Sequence, residues 1–142
     1  MEILRINKEL LPKVKEFLMR IPSIREIDEK VIENASVIID EDKIFGILSF
    51  EVFEKRGLIR YFIFQKTIGD EIIKELFNDV VKNASKINLK ELIAIALKDE
   101  IQEVFISLGF KPINNRHVFI GEEPVRMTEF DKAMIMKYQL NN

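Results

Sequence analysis

Four side chains could take part in acid–base chemistry. Glu51 and Glu54 lie at the end of a strand-like run, where a carboxylate could accept a proton from an ammonium group. Tyr61 could donate its phenol proton, and His117, the single histidine, could act as a base. We favour the simpler interpretations of these residues: solvent-facing carboxylates, an amphipathic sheet tyrosine and a surface histidine.

Acidic residues near the C-terminus could attract a cationic amine, although such a cluster is more often a solvated loop. They are Glu122, Glu123, Glu129 and Asp131. The chain has no cysteine, which excludes disulfides, thiolate zinc sites and cysteine nucleophiles. One histidine excludes a multi-histidine metal site and argues against a Ser-His-Asp triad, so we predict no metal site.

The composition is typical of a single globular domain spanning residues 1–142. Hydrophobic residues make up 47% of the chain and charged residues 32%, with both signs interspersed. The net charge of -2 gives no indication of nucleic-acid binding. No segment is typical of a signal peptide or a membrane span, so we expect a cytoplasmic protein that binds no membrane.

The spacing of apolar residues predicts a mixed α/β domain in the order β-α-α-β-β-β-α-β-α-β-β. Asn7 is predicted to cap the first helix, and Pro22 to end it. Glu41-Asp42 and Lys55-Arg56-Gly57 are predicted turns of an antiparallel meander. The strands are expected near 3–6, 37–39, 44–53, 58–64, 92–97, 118–120 and 133–140, and the helices over 10–18, 24–32, 68–81 and 101–108, the last stopped by Gly109.

The start of the clearest helix carries its own capping signal. Thr67-Ile68-Gly69-Asp70 matches the Ser/Thr-x-x-acid pattern of a capping box, in which Thr67 accepts first-turn N–H groups and Asp70 reaches back. Asp70 and Glu71 also place negative charge at the positive end of the helix, which stabilises it by about 0.3–1 kcal/mol per group. This charge repels an approaching anion, and Lys66 is the cation beside it.

Three segments resemble the GCN5-related N-acetyltransferase (GNAT) superfamily in order and spacing. Residues 41–47 resemble its hairpin with a glycine in the third strand. Residues 105–111 resemble its helix ending in a Leu-Gly-Phe turn, and residues 134–140 its final strand, often Met-x-Lys-x-Leu. The resemblance extends over nearly the whole chain as an order of elements.

The resemblance implies transfer of an acyl group, usually acetyl, from acyl-coenzyme A to an amine. In the family, coenzyme A lies where the fourth and fifth strands separate, and its pyrophosphate binds N–H groups at the start of the next helix. The amine would enter between the first two helices and the loop around residues 117–131. The implied cofactor-binding residues are Phe62, Ile63, Phe64, Gln65, Lys66, Thr67, Ile68 and Gly69.

The sequence also departs from the family pattern. The family's phosphate loop usually reads Arg/Gln-x-x-Gly-x-Gly/Ala, but aligning Gly69 with its last glycine puts Thr67 at the first glycine and Phe64 at the Arg/Gln position. Many members place a proton-donating tyrosine where this chain has Phe105, and an asparagine where it has Lys98-Asp99. No catalytic residue is therefore assigned.

Two hypotheses follow. The first is an acyl-CoA-dependent, most simply acetyl-CoA-dependent, N-acyltransferase acting on a small-molecule or peptide amine. The second is a non-catalytic domain with the same fold that serves ligand sensing, regulation or protein association, since fold alone does not decide function. A homodimer is compatible with either hypothesis.

Overall fold

The computed structural model describes residues 1–113, 119–120, 123–124 and 134–140. The elements are β1 (Glu2–Arg5), α1 (Leu11–Met19), α2 (Glu29–Ile32), β2 (Ser36–Asp40), β3 (Lys43–Phe53), β4 (Arg56–Phe64), α3 (Asp70–Lys86), β5 (Glu91–Ala96), α4 (Asp99–Ser107), β6 (Lys111–Ile113), β7 (Phe119–Ile120), β8 (Glu123–Pro124) and β9 (Met134–Gln139).

The fold is mixed α/β, with a mostly antiparallel sheet flanked by helices, as predicted. Seven strands follow the order β1-β2-β3-β4-β5-β9-β6, and β7 pairs with β8 separately. The short strands β6 and β8 were not predicted, because two or three residues carry too little periodicity to be recognised. The chain divides into two compact units, one of residues 1–51 and 60–83 and one of residues 52–59 and 84–142, so a single domain stays a prediction.

The first unit contains a tight hairpin between β2 and β3. Glu41 and Asp42 form the two-residue turn with φ values of 47° and 63°, and Asp40 pairs with Lys43. Positive φ at both positions matches the right-handed twist of the strands, and a carboxylate side chain tolerates it better than a β-branched one. The turn predicted at Glu41-Asp42 is confirmed.

The core of the first unit lies between α1 and the sheet. The Asn7 side chain accepts the Leu10 N–H at 2.9 Å in the turn before the helix, whereas the N-cap residue of α1 is Leu10, which makes no side-chain capping bond. The helix ends at Met19, before Pro22. The cluster of buried side chains contains Leu10, Val14, Leu18, Ile32, Ala35, Val37, Ile44 and Ile47.

The second helix is shorter than predicted. It spans only Glu29–Ile32, and Asp28 caps it by accepting the Lys30 N–H at 3.1 Å. Ile24 and Ile27, which suggested helix from residue 24, instead pack against the core from a non-helical segment. Their spacing matched helical periodicity because both side chains must reach the same apolar surface.

The turn between β3 and β4 also differs from its prediction at 55–57. The turn consists of Glu54 and Lys55, with Glu54 at φ 57°, and β4 already begins at Arg56. Gly57 is therefore a strand residue and pairs with Leu92 of β5 in parallel register. The prediction placed the turn at the glycine, although a non-glycine residue adopts the left-handed conformation here.

The second unit is built on β5, which is paired in parallel with the start of β4 and antiparallel with β9. Leu58, Ile93 and Ile135 form its buried cluster. The strand predicted over 92–97 ends at Ala96, and Leu97 is 66% exposed.

The helix α4 ends where the sequence predicted. Gly109 has φ 103°, and the N–H of Phe110 donates to the Phe105 carbonyl at 3.0 Å, closing the helix end. The helix begins at Asp99, two residues before the predicted start. Ile101, predicted on its buried face, is 43% exposed.

A substitution of Gly46 tests the packing of the first unit. A Cβ atom at this position would lie 2.9 Å from Ile38 Cδ1 and 3.0 Å from Phe64 Cβ, whereas one at Gly69 meets nothing within 4 Å. We expect Gly46→Ala to lower the free energy of unfolding by about 1–3 kcal/mol, because strands must shift to admit the methyl group. Gly69→Ala is the matched control, with an expected loss below about 1 kcal/mol.

Urea unfolding of both variants measures these losses. Equal free-energy losses for the two variants would show that strand packing at Gly46 is not tight.

Candidate functional site

The candidate site is the short loop between β4 and α3. The Gln65 N–H donates to the Phe45 carbonyl at 2.9 Å, which continues the pairing of the strands to the last residue before the loop. Ile68 is 6% exposed and anchors the loop in the core, and its N–H donates to the Gln65 carbonyl at 3.0 Å. The side chains of Gln65, Lys66 and Thr67 are exposed around this anchor.

The capping box predicted for Thr67 is wrong. The helix begins at Asp70, and the Ile73 N–H donates to the Gly69 carbonyl at 3.2 Å, so Gly69 holds the N-cap position. Thr67 lies in the preceding turn. The prediction failed because Ile68 was assigned to the helix face, whereas its burial is achieved from the loop.

A glycine N-cap changes what the helix start can bind. The first N–H groups of a helix have no partner within it, and Gly69 has no side-chain oxygen to accept them. Space in front of Gly69 is open, since a Cβ built there meets no atom within 4 Å. Donors of this kind beside open space suit an anionic group such as a phosphate.

Charges around the helix start act in both directions. Asp70 and Glu71 form the acidic first turn of α3, and both are exposed. Lys66 is exposed in the loop just before them. The site therefore has backbone donors and one cation that favour an anion, and two solvent-screened carboxylates that oppose it.

The aromatic residues of β4 lie on alternate faces of the strand. Phe62 and Phe64 are half-buried, with ring centroids 5.3 Å apart. Phe64 also packs beside Gly46. Tyr61 and Ile63, on the other face, pack against the buried cluster that contains Leu18 of α1. The β4 residues predicted to bind a cofactor thus have their side chains engaged in packing, so that any contact they made with a cofactor would come from their backbone.

Tyr61 and Glu51, the residues of the first unit considered as acid and base, are both engaged in other contacts. The Tyr61 hydroxyl accepts the Asp28 N–H at 3.1 Å and donates to the Glu26 carbonyl at 3.4 Å. Glu51 accepts Arg60 Nη1 on both carboxylate oxygens, at 3.1 and 3.3 Å. Tyr61 therefore fastens the segment between α1 and α2, and the Glu51 carboxylate is an ion-pair partner.

In the second unit, Phe105 is a core residue. It is 4% exposed and its ring lies 5.0 Å from that of Phe110, which in turn lies 5.6 Å from the Tyr138 ring. Gly109 is close to this cluster, because a Cβ there would lie 3.2 Å from Tyr138. The Phe105 ring thus fills the core beside the C-terminal end of α4.

The remaining predicted residues are only partly described. Glu54 forms the β3–β4 turn, and Lys98 is the N-cap of α4 without a side-chain capping bond. Glu123 is described only as a backbone residue of β8. His117, Glu122, Glu129 and Asp131 lie outside the described residues.

Within the described residues, no group of three or more His, Cys, Asp or Glu side chains is arranged to hold a metal ion. None of the helices in that part of the chain combines the length and the apolarity needed to cross a bilayer.

A cavity in the first unit was not indicated by the sequence. It has a volume of about 570 Å³ and lies beside α1 and the beginning of β3, and Gln65 lines it. Its walls come from three segments that are distant in sequence, so no local pattern of residues could have predicted it.

Comparison with known proteins yields structural neighbours only. No family model matches the sequence, and no curated protein matches it. N-acetylglutamate synthase from Neisseria gonorrhoeae, complexed with coenzyme A and L-arginine, superposes with a TM-score of 0.75 and 18% identity, over 99% of this chain and 33% of that one. This chain therefore spans about a third of that enzyme's length.

Two shorter neighbours match along most of their length. Rv2747 from Mycobacterium tuberculosis, solved in complex with CoA, has a TM-score of 0.73 and 14% identity, with 99% of both chains covered. An acetyltransferase of the GNAT family from Staphylococcus aureus has a TM-score of 0.68 and 14% identity, again over 99% of both chains. Likeness at this level of identity establishes the fold.

The role of Tyr61 can be tested by removing its hydroxyl. We expect Tyr61→Phe to lower the free energy of unfolding by about 0.5–1.5 kcal/mol, because two backbone hydrogen bonds are lost. Amide hydrogen exchange at Asp28 should become faster, while exchange in the middle of α3 stays unchanged. Unaltered exchange at Asp28 would contradict the assigned contact.

Proposed function

We propose that this chain, which has the GNAT acetyltransferase fold, is an acyl-CoA-dependent N-acyltransferase. The observation that carries the proposal is the start of α3, where glycine holds the N-cap position and a Cβ built on it meets no atom within 4 Å. This arrangement suits the pyrophosphate of coenzyme A. Structural neighbours crystallised with coenzyme A support the same ligand class.

The chain's own residues would hold the co-substrate through backbone and charge. The N–H groups at the start of α3 would donate to the phosphate oxygens, and Lys66 would neutralise part of their charge. The Phe62–Phe64 stretch of β4 would lie along the pantetheine arm. Gln65 to Gly69 form the loop between these two parts, so we assign the whole predicted set, from Phe62 to Gly69, to binding.

The chemistry would rely on placement more than on acid–base groups. Acyl-CoA supplies a thioester, and an amine held beside its carbonyl carbon can displace the thiolate. Phe105 cannot return a proton to that thiolate, and Tyr61 is occupied by the Glu26 and Asp28 backbone. Correct positioning of two reactants can supply a large part of a rate enhancement, with water carrying the protons.

We propose an amine in a small molecule or peptide as the acceptor, and the cytoplasm as the place of the reaction. Among the structural neighbours, the Escherichia coli ribosomal-protein-S18-alanine N-acetyltransferase is named for a protein substrate, with a TM-score of 0.66 and 11% identity. The net charge of -2 favours such acceptors over nucleic acid. Acetyl is the acyl group we would test first.

A second function is favoured by specific observations. Glu51, Tyr61 and Phe105 occupy positions where acid–base groups were considered, and each is committed to an ion pair, a backbone contact or the core. A non-catalytic domain that binds acyl-CoA as a sensor would need the loop and no proton donor. Binding and turnover must therefore be measured separately.

The binding step is tested by thermal unfolding with and without acetyl-CoA. A ligand at 100 times its dissociation constant stabilises the folded state by about 2.7 kcal/mol, which for a domain of this size raises the melting temperature by roughly 5–10 °C. Lys66→Glu should reduce this rise, because it adds repulsion next to the phosphates. Lys82→Glu, at an exposed position of α3, is the control and should keep the full rise.

Turnover is then followed as thiol release from acetyl-CoA in the presence of a panel of amines. Stabilisation with amine-dependent thiol release supports the acyltransferase. Stabilisation without release with any amine favours the sensor, and the absence of any thermal shift contradicts both functions.

A further inference from the structure

The cavity beside α1 has the size and lining of a ligand site. Its volume of about 570 Å³ lies in the range of small-molecule sites in proteins. Apolar side chains contribute much of its lining and are half-buried or buried. The lining residues of this kind are Phe17, Ile21, Ile44 and Phe45.

Cationic side chains also border the cavity. Lys13 lies 3.7 Å from Asp42, and Arg20 lies 2.6 Å from Glu16, so both carboxylates of the lining are already paired. Lys43 is exposed and, within the described part of the chain, takes part in no ion pair. The lining therefore offers one ammonium group to an anion, beside a surface suited to a flat apolar ring.

The cavity is continuous with the loop that precedes α3. Gln65 belongs to both, and its N–H bond to the Phe45 carbonyl joins two residues of the lining. A ligand whose phosphates lie along residues 65–69 thus has a neighbouring recess for whatever is attached to them. The chemistry required of that attachment is a planar apolar group with a further negative charge.

We propose that this cavity receives the nucleotide end of acyl-CoA, an inference that rests on the proposed function. The adenine ring would pack against Phe17 and Phe45, and the 3′-phosphate would pair with Lys43. Adenosine 3′-phosphate is attached directly to the pyrophosphate of coenzyme A, and it combines the planar ring and the extra charge. Arg20 and Lys13, held by their carboxylate partners, border the same recess.

The experiment compares coenzyme A with dephospho-coenzyme A, which lacks only the 3′-phosphate. Isothermal titration calorimetry gives both dissociation constants for the natural chain, for Lys43→Ala and for Lys82→Ala as the matched exposed control. We expect the natural chain and Lys82→Ala to prefer coenzyme A by about threefold to tenfold. Lys43→Ala should bring the two constants close to equality and leave binding of dephospho-coenzyme A unchanged.

The outcomes separate this inference from the proposed function. If Lys43→Ala keeps the preference, or the natural chain shows none, the inference is overturned while coenzyme A binding stands. If neither ligand binds the natural chain, both are overturned. Lys43→Gln, with a longer neutral side chain, repeats the comparison if the alanine variant melts at a lower temperature than the natural chain.

Discussion

The close approach of three strands at Gly46 is the constraint on which the site depends. Side chains and backbone of the neighbouring strands fill the space at Gly46, because an added Cβ would lie 2.9 Å from Ile38 Cδ1, 3.0 Å from Phe64 Cβ and 3.3 Å from the Ile63 carbonyl oxygen. One residue before it, the Phe45 carbonyl accepts the Gln65 N–H. The last pairing of β4 is therefore held firmly, and the loop to α3 leaves the sheet at a defined point.

From that point, a single buried side chain decides how the helix begins. Ile68 is held in the core, so Thr67 is left in an exposed turn and the N-cap falls on Gly69. With Thr67 as the N-cap, its hydroxyl oxygen would have accepted a hydrogen bond from a first-turn N–H group. With Gly69 in this place, the N-cap residue has no side-chain oxygen to accept that donor.

The proposed binding of an anion depends on the balance of charge at this helix start. Asp70 and Glu71 are exposed, so at physiological ionic strength salt screens their repulsion over about 8 Å. Backbone donors act in direct contact, where a hydrogen bond to a charged group contributes about 1.5–3 kcal/mol. The exposed carboxylates stabilise the helix by about 0.3–1 kcal/mol each, and the proposal requires the donor bonds to outweigh their repulsion of an anion.

Local chemistry made part of the fold predictable from the sequence. The Glu41-Asp42 turn and the end of α4 at Gly109 depend on the conformations of one or two residues, and both were predicted. The start of a helix was harder to predict from apolar residues. Ile24, Ile27 and Ile68 can be buried whether their segment is helix or loop. The loop residues 65–69 were identified from the sequence, whereas their correct cap and the cavity beside Gln65 depend on tertiary contacts that no window of sequence contains.

The most direct test of the central claim is an amide nitrogen–proton NMR titration of the full chain with acetyl-CoA. We expect the largest shifts at the amides of residues 65–72, with those of Asp70 and Glu71 moving to the positions typical of phosphate-bound N–H groups. Shifts confined to other residues, or none at millimolar acetyl-CoA, would contradict the claim that the start of α3 is the phosphate site.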